Sequence, residues 1–286
     1  MVGFAVIGCG HIARKHIEAI EKTSNAQLIA VCDTNVERME DFAKEYEVAG
    51  YLDIETMFQS EPNINVVSIC VPSGLHAKLA VQSAHHKKHI VVEKPIALTL
   101  EDADSIIEAC NANQVKLTVV HPNRFRPAVM ALREVMDNKL FGKVSHANAT
   151  VRWNRNQAYY DQAAWRGTKE LDGGVLMNQA IHNLDLLLWL MGPIEEVQSY
   201  TATRLRSIEA EDVAVAILKF EDGSLGIIEA AATVYPKNFE ESLSIFGETG
   251  TAVISGRTAN WIKHMIFEGM SEEETAQLIN QIEQDP

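Results

Sequence analysis

The sequence predicts an α/β domain with a parallel sheet, followed by an α+β domain with a mostly antiparallel sheet. From residue 2 to about residue 120, short β-branched runs alternate with amphipathic helical stretches, which is typical of βαβ units. These runs are continuously apolar, as in strands that are buried on both faces. After about residue 125 the rhythm changes, and one long apolar helix precedes six strand-like runs joined by turn signals.

Each element follows from the local pattern of apolar and turn-forming residues. In the first half, strands are predicted at 2–8, 27–33, 65–71, 89–93 and 115–120, and helices at 11–22, 36–46, 75–86 and 101–112. In the second half, helices are predicted at 128–138, 174–191 and 271–283, and strands from 143 and at 197–206, 212–220, 224–234, 241–247, 251–255 and 260–267. The change of pattern predicts two domains, 1–122 and 123–286.

Length and charge limit the classes of function. A chain of 286 residues suits two domains, although length alone also allows a single large barrel. The formal charge of −14 argues against a nucleic-acid or anionic-membrane binder, because such proteins need a basic surface. No apolar run approaches the roughly 18 residues that span a bilayer, and the N-terminus enters a strand directly, so we expect a cytoplasmic protein.

Neither cysteine nor histidine spacing indicates a metal site. Cys9, Cys32, Cys70 and Cys110 are scattered, which predicts small buried thiols rather than a zinc knuckle or a disulfide framework. The histidine-rich run at 85–89 is interpreted as a solvated turn, so no metal cofactor is expected.

A glycine-rich turn stands between the first strand and the first helix. Residues 8–13 have the pattern G-x-G-x-x-A, in which Gly8 permits a tight turn and Gly10 lets a pyrophosphate approach the backbone. Ala13 lets the helix pack closely on the strand. The pattern and its position predict a dinucleotide-binding turn, although a Rossmann-like domain that binds nothing or another nucleotide stays an alternative.

Asp33 ends the second predicted strand, near the roughly 20-residue offset from Gly8 that is expected for a ribose-binding carboxylate. A carboxylate at this point repels a 2′-phosphate. Because Thr34 and Asn35 supply no arginine to bind such a phosphate, NAD is favoured over NADP as the cofactor.

Glu93, Lys94 and Pro95 follow a predicted strand directly, at the edge where open α/β sheets bind their ligands. Core packing does not explain a lysine here, and Pro95 removes a backbone donor and fixes a turn. Two interpretations stay open: Lys94 lies at a ligand site, or it is a solvated loop cation beside Glu93.

The long helix predicted over 174–191 carries a narrow polar stripe. At about 100° per residue, Asn178, His182 and Asp185 fall within roughly 60° of one another. His182 is then either a core histidine with satisfied hydrogen bonds or an acid/base group whose tautomer Asp185 holds. Its unperturbed pKa of about 6.5 suits the removal of a hydroxyl proton.

Arginines and aromatic residues are concentrated in two segments, 121–126 and 152–167, of an otherwise acidic chain. They are Arg124, Arg126, Arg152, Arg155, Arg166, Tyr159, Tyr160 and Trp165. Guanidinium groups suit phosphates or carboxylates, and aromatic faces suit sugar rings or bases. The alternative is that these arginines stack on aromatic residues at a subunit or domain contact.

Four motifs, in order along essentially the whole chain, resemble the Gfo/Idh/MocA family of glucose-fructose oxidoreductases and inositol dehydrogenases. They are the turn at 8–13, Val-Pro-Ser-x-x-His at 71–76, Glu-Lys-Pro at 93–95, and a Gly-Gly pair before a helical histidine. The resemblance implies a Rossmann domain followed by a domain with an open-faced, mostly antiparallel sheet. It also implies that Lys94 binds the sugar hydroxyl that is oxidised, while His182 acts as general base.

The resemblance further implies two sets of contacts. Cofactor contacts are expected from Gly8, Gly10, His11, Ile12, Asp33, Pro72, Ser73, His76, Glu93 and Lys94. Substrate contacts are expected from Arg124, Arg152, Tyr160, Trp165, Arg166, Asn178 and His182.

The stretch from Tyr159 to His182 is similar to the family branch that oxidises C3 of UDP-N-acetylglucosamine or its uronic acid. Many family members carry Asp four residues before the helical histidine, and Asn178 at that position also favours the nucleotide-sugar branch. The sequence therefore predicts an NAD-dependent dehydrogenase of a UDP-N-acetylhexosamine. An inositol or free-sugar dehydrogenase and a non-catalytic NAD-binding regulator stay alternatives.

Two expectations concern the whole chain. An open-faced sheet has one face to cover, so a homodimer or homotetramer is expected. Family members usually run several tens of residues longer and end in a helix that returns toward the Rossmann domain. The chain is therefore expected to be truncated or an unusually short member, which places its activity in question.

Overall fold

The computed structural model describes residues 1–256 and 260–284. It divides into two compact units. The N-terminal unit is Met1–Val120 together with Glu170–Asp172, and the C-terminal unit is His121–Lys169 together with the chain from Gly173 onward.

The N-terminal unit is a parallel sheet of six strands in the order β3-β2-β1-β4-β5-β6. Its strands are β1 (Val2–Ile7), β2 (Ala26–Cys32), β3 (Ala49–Tyr51), β4 (Ile64–Ile69), β5 (His89–Val92) and β6 (Leu117–Val119). Its helices are α1 (Ala13–Glu21), α2 (Val36–Glu45), α3 (Ile54–Ser60), α4 (His76–His85) and α5 (Leu100–Asn113), with a 3₁₀ turn at Ser73–Leu75. This order confirms the Rossmann arrangement predicted from the sequence.

The continuous apolar runs are explained by burial on both faces of the sheet. Val6 packs into a core cluster with Ile17 of α1 and Phe42 of α2. Its neighbours on the strand, Ala5 and Ile7, point the other way, into a second cluster with α3, α4 and α5. The sequence pattern missed β3 and α3, because elements of three and seven residues are too short to display a period.

The C-terminal unit is a sheet of seven strands in the order β13-β12-β11-β7-β10-β9-β8. Its strands are β7 (Val144–Arg152), β8 (Ile194–Ala202), β9 (Val213–Phe220), β10 (Leu225–Ala231), β11 (Glu240–Gly247), β12 (Gly250–Ser255) and β13 (Trp261–Phe267). Its helices are α6 (Pro127–Asp137), α7 (Gln157–Tyr160), α8 (Ile181–Met191) and α9 (Glu272–Gln284), with a 3₁₀ turn at Pro122–Phe125. All neighbouring strands are antiparallel except β7 and β10, which confirms a mostly antiparallel sheet.

Helices α6, α8 and α9 pack on one face of this sheet. Leu186 and Leu187 of α8 join Ala147 and Ala149 of β7 in the main core of the unit, and all four are at most 2% exposed. Opposite them, the outward residues of β9 and β10 are exposed: Ile217 is 57% exposed and Ile227 is 49% exposed. The sheet is therefore open on one face, as expected.

One predicted helix is two elements in the structure. The stretch 174–191 consists of a π-helix, Val175–Ala180, which leads directly into α8. A π-helix bonds residue i to residue i+5, so the 100° spacing used to place Asn178 and His182 on one stripe does not apply across it. The predicted polar stripe of Asn178, His182 and Asp185 assumed one regular α-helix over 174–191, and that assumption is wrong for residues 175–180.

Two further properties concern the described residues. No described helix is both long and apolar enough to cross a membrane. The four cysteines are buried, as predicted, and burial raises the pKa of the Cys9 and Cys32 thiols to about 12.

Candidate active site

The glycine turn has the geometry that a dinucleotide requires. Gly8 has φ of +94°, and a Cβ on it would lie 2.8 Å from the carbonyl oxygen of Cys70 and 2.9 Å from Val71 Cγ1. A Cβ on Gly10 would meet no atom within 4 Å, so the space above this residue is open. Only glycine fits the first position, and the second leaves the backbone accessible to a ligand.

Helix α1 begins without a side-chain cap. Its N-cap residue Ile12 makes no capping bond, and its first turn holds no acidic residue, so the amide groups there keep their affinity for an anion. His11 and Ile12 lie in the exposed turn that leads into the helix.

Asp33 is held in place at the carboxyl end of β2. Its Oδ2 accepts from the backbone N of Cys9 at 2.8 Å, and its Oδ1 accepts from the backbone N of Asn35 at 2.8 Å. The side chain of Arg38 also donates to Oδ1, with Nη2 at 3.1 Å. A carboxylate has about four lone-pair sites, so capacity for a ribose hydroxyl remains. Sequence reasoning missed Arg38 because it searched only the two residues that follow Asp33.

The turn after β5 carries Lys94. The backbone N of Lys94 donates to Glu93 Oε2 at 3.3 Å, and the peptide bond between Lys94 and Pro95 is cis. Glu93 Oε1 lies 2.9 Å from Nε2 of His16 on α1. Lys94 therefore lies at the carboxyl edge of the parallel sheet, the same edge as Gly8 and Asp33.

His76 joins two loops of this edge. Its Nδ1 lies 2.8 Å from the carbonyl oxygen of Pro95, and its Nε2 lies 3.1 Å from that of Val71. The ring is 1% exposed, and burial lowers its pKa. His76 therefore ties the segment that contains Pro72 and Ser73 to the turn of Lys94, and its contact with a cofactor stays a prediction.

In the C-terminal unit, a carboxylate organises the start of the π-helix. Gly174 has φ of +81°, and a Cβ there would lie 2.2 Å from Glu211 Oε2. Glu211 Oε1 accepts from the backbone N of Leu176 at 2.9 Å, and the carbonyl oxygen of Glu211 accepts from Val175. Glu211 thus satisfies amide groups that a helix start leaves open. Asn178 and His182 follow within two turns, both partly buried.

Asp185 does not have the role expected from the sequence. Its two oxygens bind Arg124, with Nε at 2.7 Å and Nη2 at 2.5 Å, and its Oδ2 lies 3.4 Å from Nδ1 of His121. The bidentate pair raises the pKa of Arg124. The carboxylate expected to hold the tautomer of His182 is instead the partner of Arg124, 61 residues away in the chain.

The five arginines separate into distinct environments. Arg152 is the last residue of β7, and its guanidinium binds Glu229 at 2.6 Å and Glu240 at 2.7 Å. Arg126 lies near the buried carboxyl of Glu241, whose pKa burial raises to about 7. Arg124 and Arg152 are therefore paired with acidic partners within the protein, whereas Arg126 makes no ion pair within 4.0 Å among the described residues.

Arg155 and Arg166 differ from Arg124 and Arg152. Arg166 lies 4.2 Å from the ring centroid of Tyr159 and 4.7 Å from that of Trp165. Arg155 lies 5.2 Å from the ring centroid of Tyr159 and 4.8 Å from that of Trp153. Among the carboxylates that the structure describes, none lies within 4.0 Å of either guanidinium. We call Trp153, Arg155, Tyr159, Trp165 and Arg166 the arginine–aromatic stack.

The remaining predicted residue, Tyr160, is 6% exposed and packs edge-on against Tyr159. Trp153 was not among the predicted residues, although its place next to Arg152 and Arg155 in the sequence was a usable signal. No three His, Cys, Asp or Glu side chains among the described residues come together as ligands for a metal ion.

Comparison with known proteins decides the family. Residues 2–121 match the model of the oxidoreductase family with an NAD-binding Rossmann fold, and residues 129–253 match the GFO/IDH/MocA C-terminal domain. The chain belongs to the Gfo/Idh/MocA oxidoreductase family. It is an NAD-dependent oxidoreductase of the kind that acts on sugars, which confirms the family resemblance in the sequence.

Two solved structures of this family are similar to the chain. The WlbA dehydrogenase of Chromobacterium violaceum, in complex with NADH and UDP-GlcNAcA, is 37% identical with a TM-score of 0.94. That of Bordetella pertussis, in complex with the same two molecules, is 36% identical with a TM-score of 0.93. Each alignment covers 99% of this chain and 81% of the other. The myo-inositol 2-dehydrogenase of Thermotoga maritima is 29% identical over 86% of this chain and 72% of its own length.

The residues present fit NAD as the cofactor. The open space above Gly10 and the uncapped start of α1 suit a pyrophosphate, and the held carboxylate of Asp33 suits a ribose diol. Sequence reasoning missed one further residue of this edge, His16. The signal was its place on the buried stripe of α1 beside Ile17, where a polar side chain requires a partner.

Proposed function

We propose that the protein oxidises C3 of a UDP-N-acetylhexosamine or of its uronic acid, with NAD as the oxidant. The observation that supports this most directly is the arginine–aromatic stack. Two guanidinium groups without acidic partners, held by aromatic rings, offer hydrogen-bond donors to a diphosphate or a uronate. A free polyol carries no anion that would use them. The WlbA dehydrogenases, which bind NADH and UDP-GlcNAcA, support the same substrate class.

The chemistry assigned to this chain divides between two side chains. We assign the general base to His182, which takes the proton of the C3 hydroxyl. We assign Lys94 to the oxygen of that hydroxyl, where an ammonium group stabilises the negative charge that develops as the proton leaves. NAD, when bound, accepts the hydride from the same carbon. Asn178, four residues before His182 in the chain, is assigned to substrate binding.

Reduction of NAD in the presence of a panel of sugars tests the substrate. We expect the absorbance of reduced nicotinamide to increase with UDP-N-acetylglucosamine or its uronic acid and not with myo-inositol. No increase with either UDP-sugar, together with turnover of myo-inositol, would refute the proposal and assign the protein to polyol oxidation. Binding of NADH without turnover of any sugar would indicate a cofactor-sensing regulator.

Two substitutions test the catalytic assignment. Lys94→Met and His182→Asn each remove one group, and we expect kcat to fall by about 10²–10⁴-fold. Binding of NADH, followed by its fluorescence, should persist in both variants and shows that they are folded. Full activity in either variant would contradict the role assigned to that residue.

The arginines supply a matched comparison. Arg155→Ala and Arg166→Ala should raise KM for the UDP-sugar by about 10–100-fold each, because a hydrogen bond to a charged group contributes about 1.5–3 kcal/mol. Arg152→Ala is the control, since its guanidinium binds Glu229 and Glu240. An equal effect of all three substitutions would show that the stack does not select the anion.

We also propose that a second copy of the chain covers the open face of the sheet. Val215, Ile217, Leu225 and Ile227 are between 47% and 57% exposed there, and the last three line a groove of about 420 Å³. A two-fold contact would place this apolar band against itself. Ile217→Glu should reduce the mass measured by light scattering, whereas Ile107→Glu, on α5, should not; a monomeric parent chain would contradict the proposal.

The cytoplasmic location stays a prediction.

A further inference from the structure

A histidine of the cofactor-binding helix is paired with the carboxylate beside Lys94. His16 lies on α1, three residues after Ala13, and its Nε2 donates to Glu93 Oε1 at 2.9 Å. The two side chains are 9% and 12% exposed. A carboxylate this buried requires a partner, because its loss of hydration is otherwise uncompensated.

The other oxygen of Glu93 accepts a hydrogen bond from the main chain of Lys94. Glu93 Oε2 accepts from the backbone N of Lys94 at 3.3 Å, while the backbone N of Glu93 donates to the carbonyl oxygen of Ile69 on β4. One carboxylate therefore bonds α1 through one oxygen and the main chain of Lys94 through the other. The direction in which the Lys94 side chain leaves the turn depends on this main chain.

Apolar residues make the core contacts of α1. The helix is held on the sheet by Ala13, Ile17 and Ile20, which are at most 5% exposed and belong to one core cluster. The hydrogen bond between His16 and Glu93 adds a link from α1 to the turn of Lys94.

We propose that His16 is a positioning residue for Lys94, acting through Glu93. The helix whose N-terminus closes the dinucleotide turn thereby sets the orientation of the lysine that binds the reacting hydroxyl. The inference rests on the role proposed above for Lys94. It adds that a hydrogen-bonded carboxylate connects the cofactor edge with the turn of Lys94.

The experiment compares His16→Ala, His16→Gln and, on the same helix, Lys15→Ala as the matched control. The side chain of Lys15 is 70% exposed and pairs only with Glu18 among the described residues, so its loss should have no effect on Lys94. Glutamine keeps a neutral N–H donor near the position of Nε2, so it should restore what alanine removes. We expect kcat to fall about 10–100-fold in His16→Ala, as for other residues that orient a reacting group, with the Kd for NADH within about twofold of the parent.

A second measurement needs neither cofactor nor substrate. Competitive labelling with acetic anhydride, quantified by mass spectrometry, gives the reactivity of Lys94 relative to Lys15 and Lys22 in the cofactor-free protein. His16→Ala should change this ratio and His16→Gln should restore it. A merely structural role would lower thermal stability and leave the ratio unchanged.

The outcomes separate this inference from the proposed function. Unchanged kcat and labelling in His16→Ala, while Lys94→Met is inactive, would overturn the role of His16 alone. A loss confined to NADH affinity would also overturn it, and would assign His16 to the cofactor site. Full activity in Lys94→Met would remove the proposed role of Lys94 itself. If no UDP-sugar is turned over, the labelling ratio still decides whether His16 positions Lys94.

Discussion

Replacing Glu241 by glutamine should change how the stability of the C-terminal unit depends on pH. Glu241 lies on β11 at 1% exposure, where Asn123 Nδ2 donates to its Oε1 at 3.3 Å. Burial raises its pKa from 4.5 to about 7, against the opposing influence of the Arg126 charge and the Asn123 hydrogen bond. The carboxyl group therefore binds a proton more tightly in the folded chain than in the unfolded chain.

The sign and size of the effect follow from that difference. A raised pKa favours folding at low pH, and this contribution is lost as the pH increases from about 4.5 through about 7. A shift of one unit corresponds to about 1.36 kcal/mol, so the full loss is about 3 kcal/mol, and most of this loss falls between pH 5 and pH 8. Glutamine does not titrate, so Glu241→Gln should gain about this much relative to the parent over the same interval.

Urea unfolding at pH 5, 6, 7 and 8 gives the measurement. The four tryptophans, at positions 153, 165, 189 and 261, all lie in the C-terminal unit, so their fluorescence follows that unit alone. Glu240→Gln is the control for the loss of a neighbouring carboxylate, because its side chain lies on the other face of the strand and binds Arg152. A constant difference between Glu241→Gln and the parent across these pH values would refute the reasoning.

Three further changes have expected outcomes. Asp33→Ser should lower the Kd for NADPH about 10–100-fold in a fluorescence titration, because Arg38 would then face a 2′-phosphate without a competing carboxylate. Adding Arg38→Ala should abolish this gain in affinity. Asp212→Asn should cost about 3 kcal/mol and lower Tm by roughly 6–12 °C in calorimetry. The fully buried carboxylate accepts from the backbone N of residues 204, 205 and 206, and the NH₂ of an asparagine would face at least one of these donors; an unchanged Tm would contradict this. Gly8→Ala should abolish NADH binding, because the added Cβ clashes with Cys70. Gly10→Ala should weaken NADH binding and keep the parent Tm. Normal NADH binding by the Gly8→Ala protein would show that the turn can adapt.

Much of the fold could be predicted from the sequence because its signals are local. The apolar runs of β1, β4 and β5 and the amphipathic period of α2 depend on neighbouring residues only. The π-helix could not be predicted, since one widened turn of six residues is hidden within a longer apolar pattern. Contacts at its start also come from outside the helix, where Glu211 fills the space beside Gly174 and accepts from the first amide groups.

The candidate site shows the same limit more clearly. Periodicity correctly indicated that Asp185 needs a partner, but it could not identify which one, because Arg124 is 61 residues away. The same applies to Arg152, whose partners Glu229 and Glu240 are 77 and 88 residues distant. Residue type predicted that the arginines could bind anions. Only the fold decides which of them already bind one within the protein.

The formal charge of −14 acquires a different meaning once these partners are known. An acidic chain can still bind an anion if its carboxylates are placed beside some arginines and kept away from others. Here Asp185 of α8 neutralises Arg124. Glu229 of β10 and Glu240 of β11 neutralise Arg152. The arginine–aromatic stack is stabilised instead by ring faces, which hold a guanidinium without neutralising its charge. Specificity for an anionic sugar would then depend on where acids are absent, and a carboxylate introduced at Ala163 or Ala164, beside the stack in the chain, should raise KM for the UDP-sugar while leaving NADH binding unchanged.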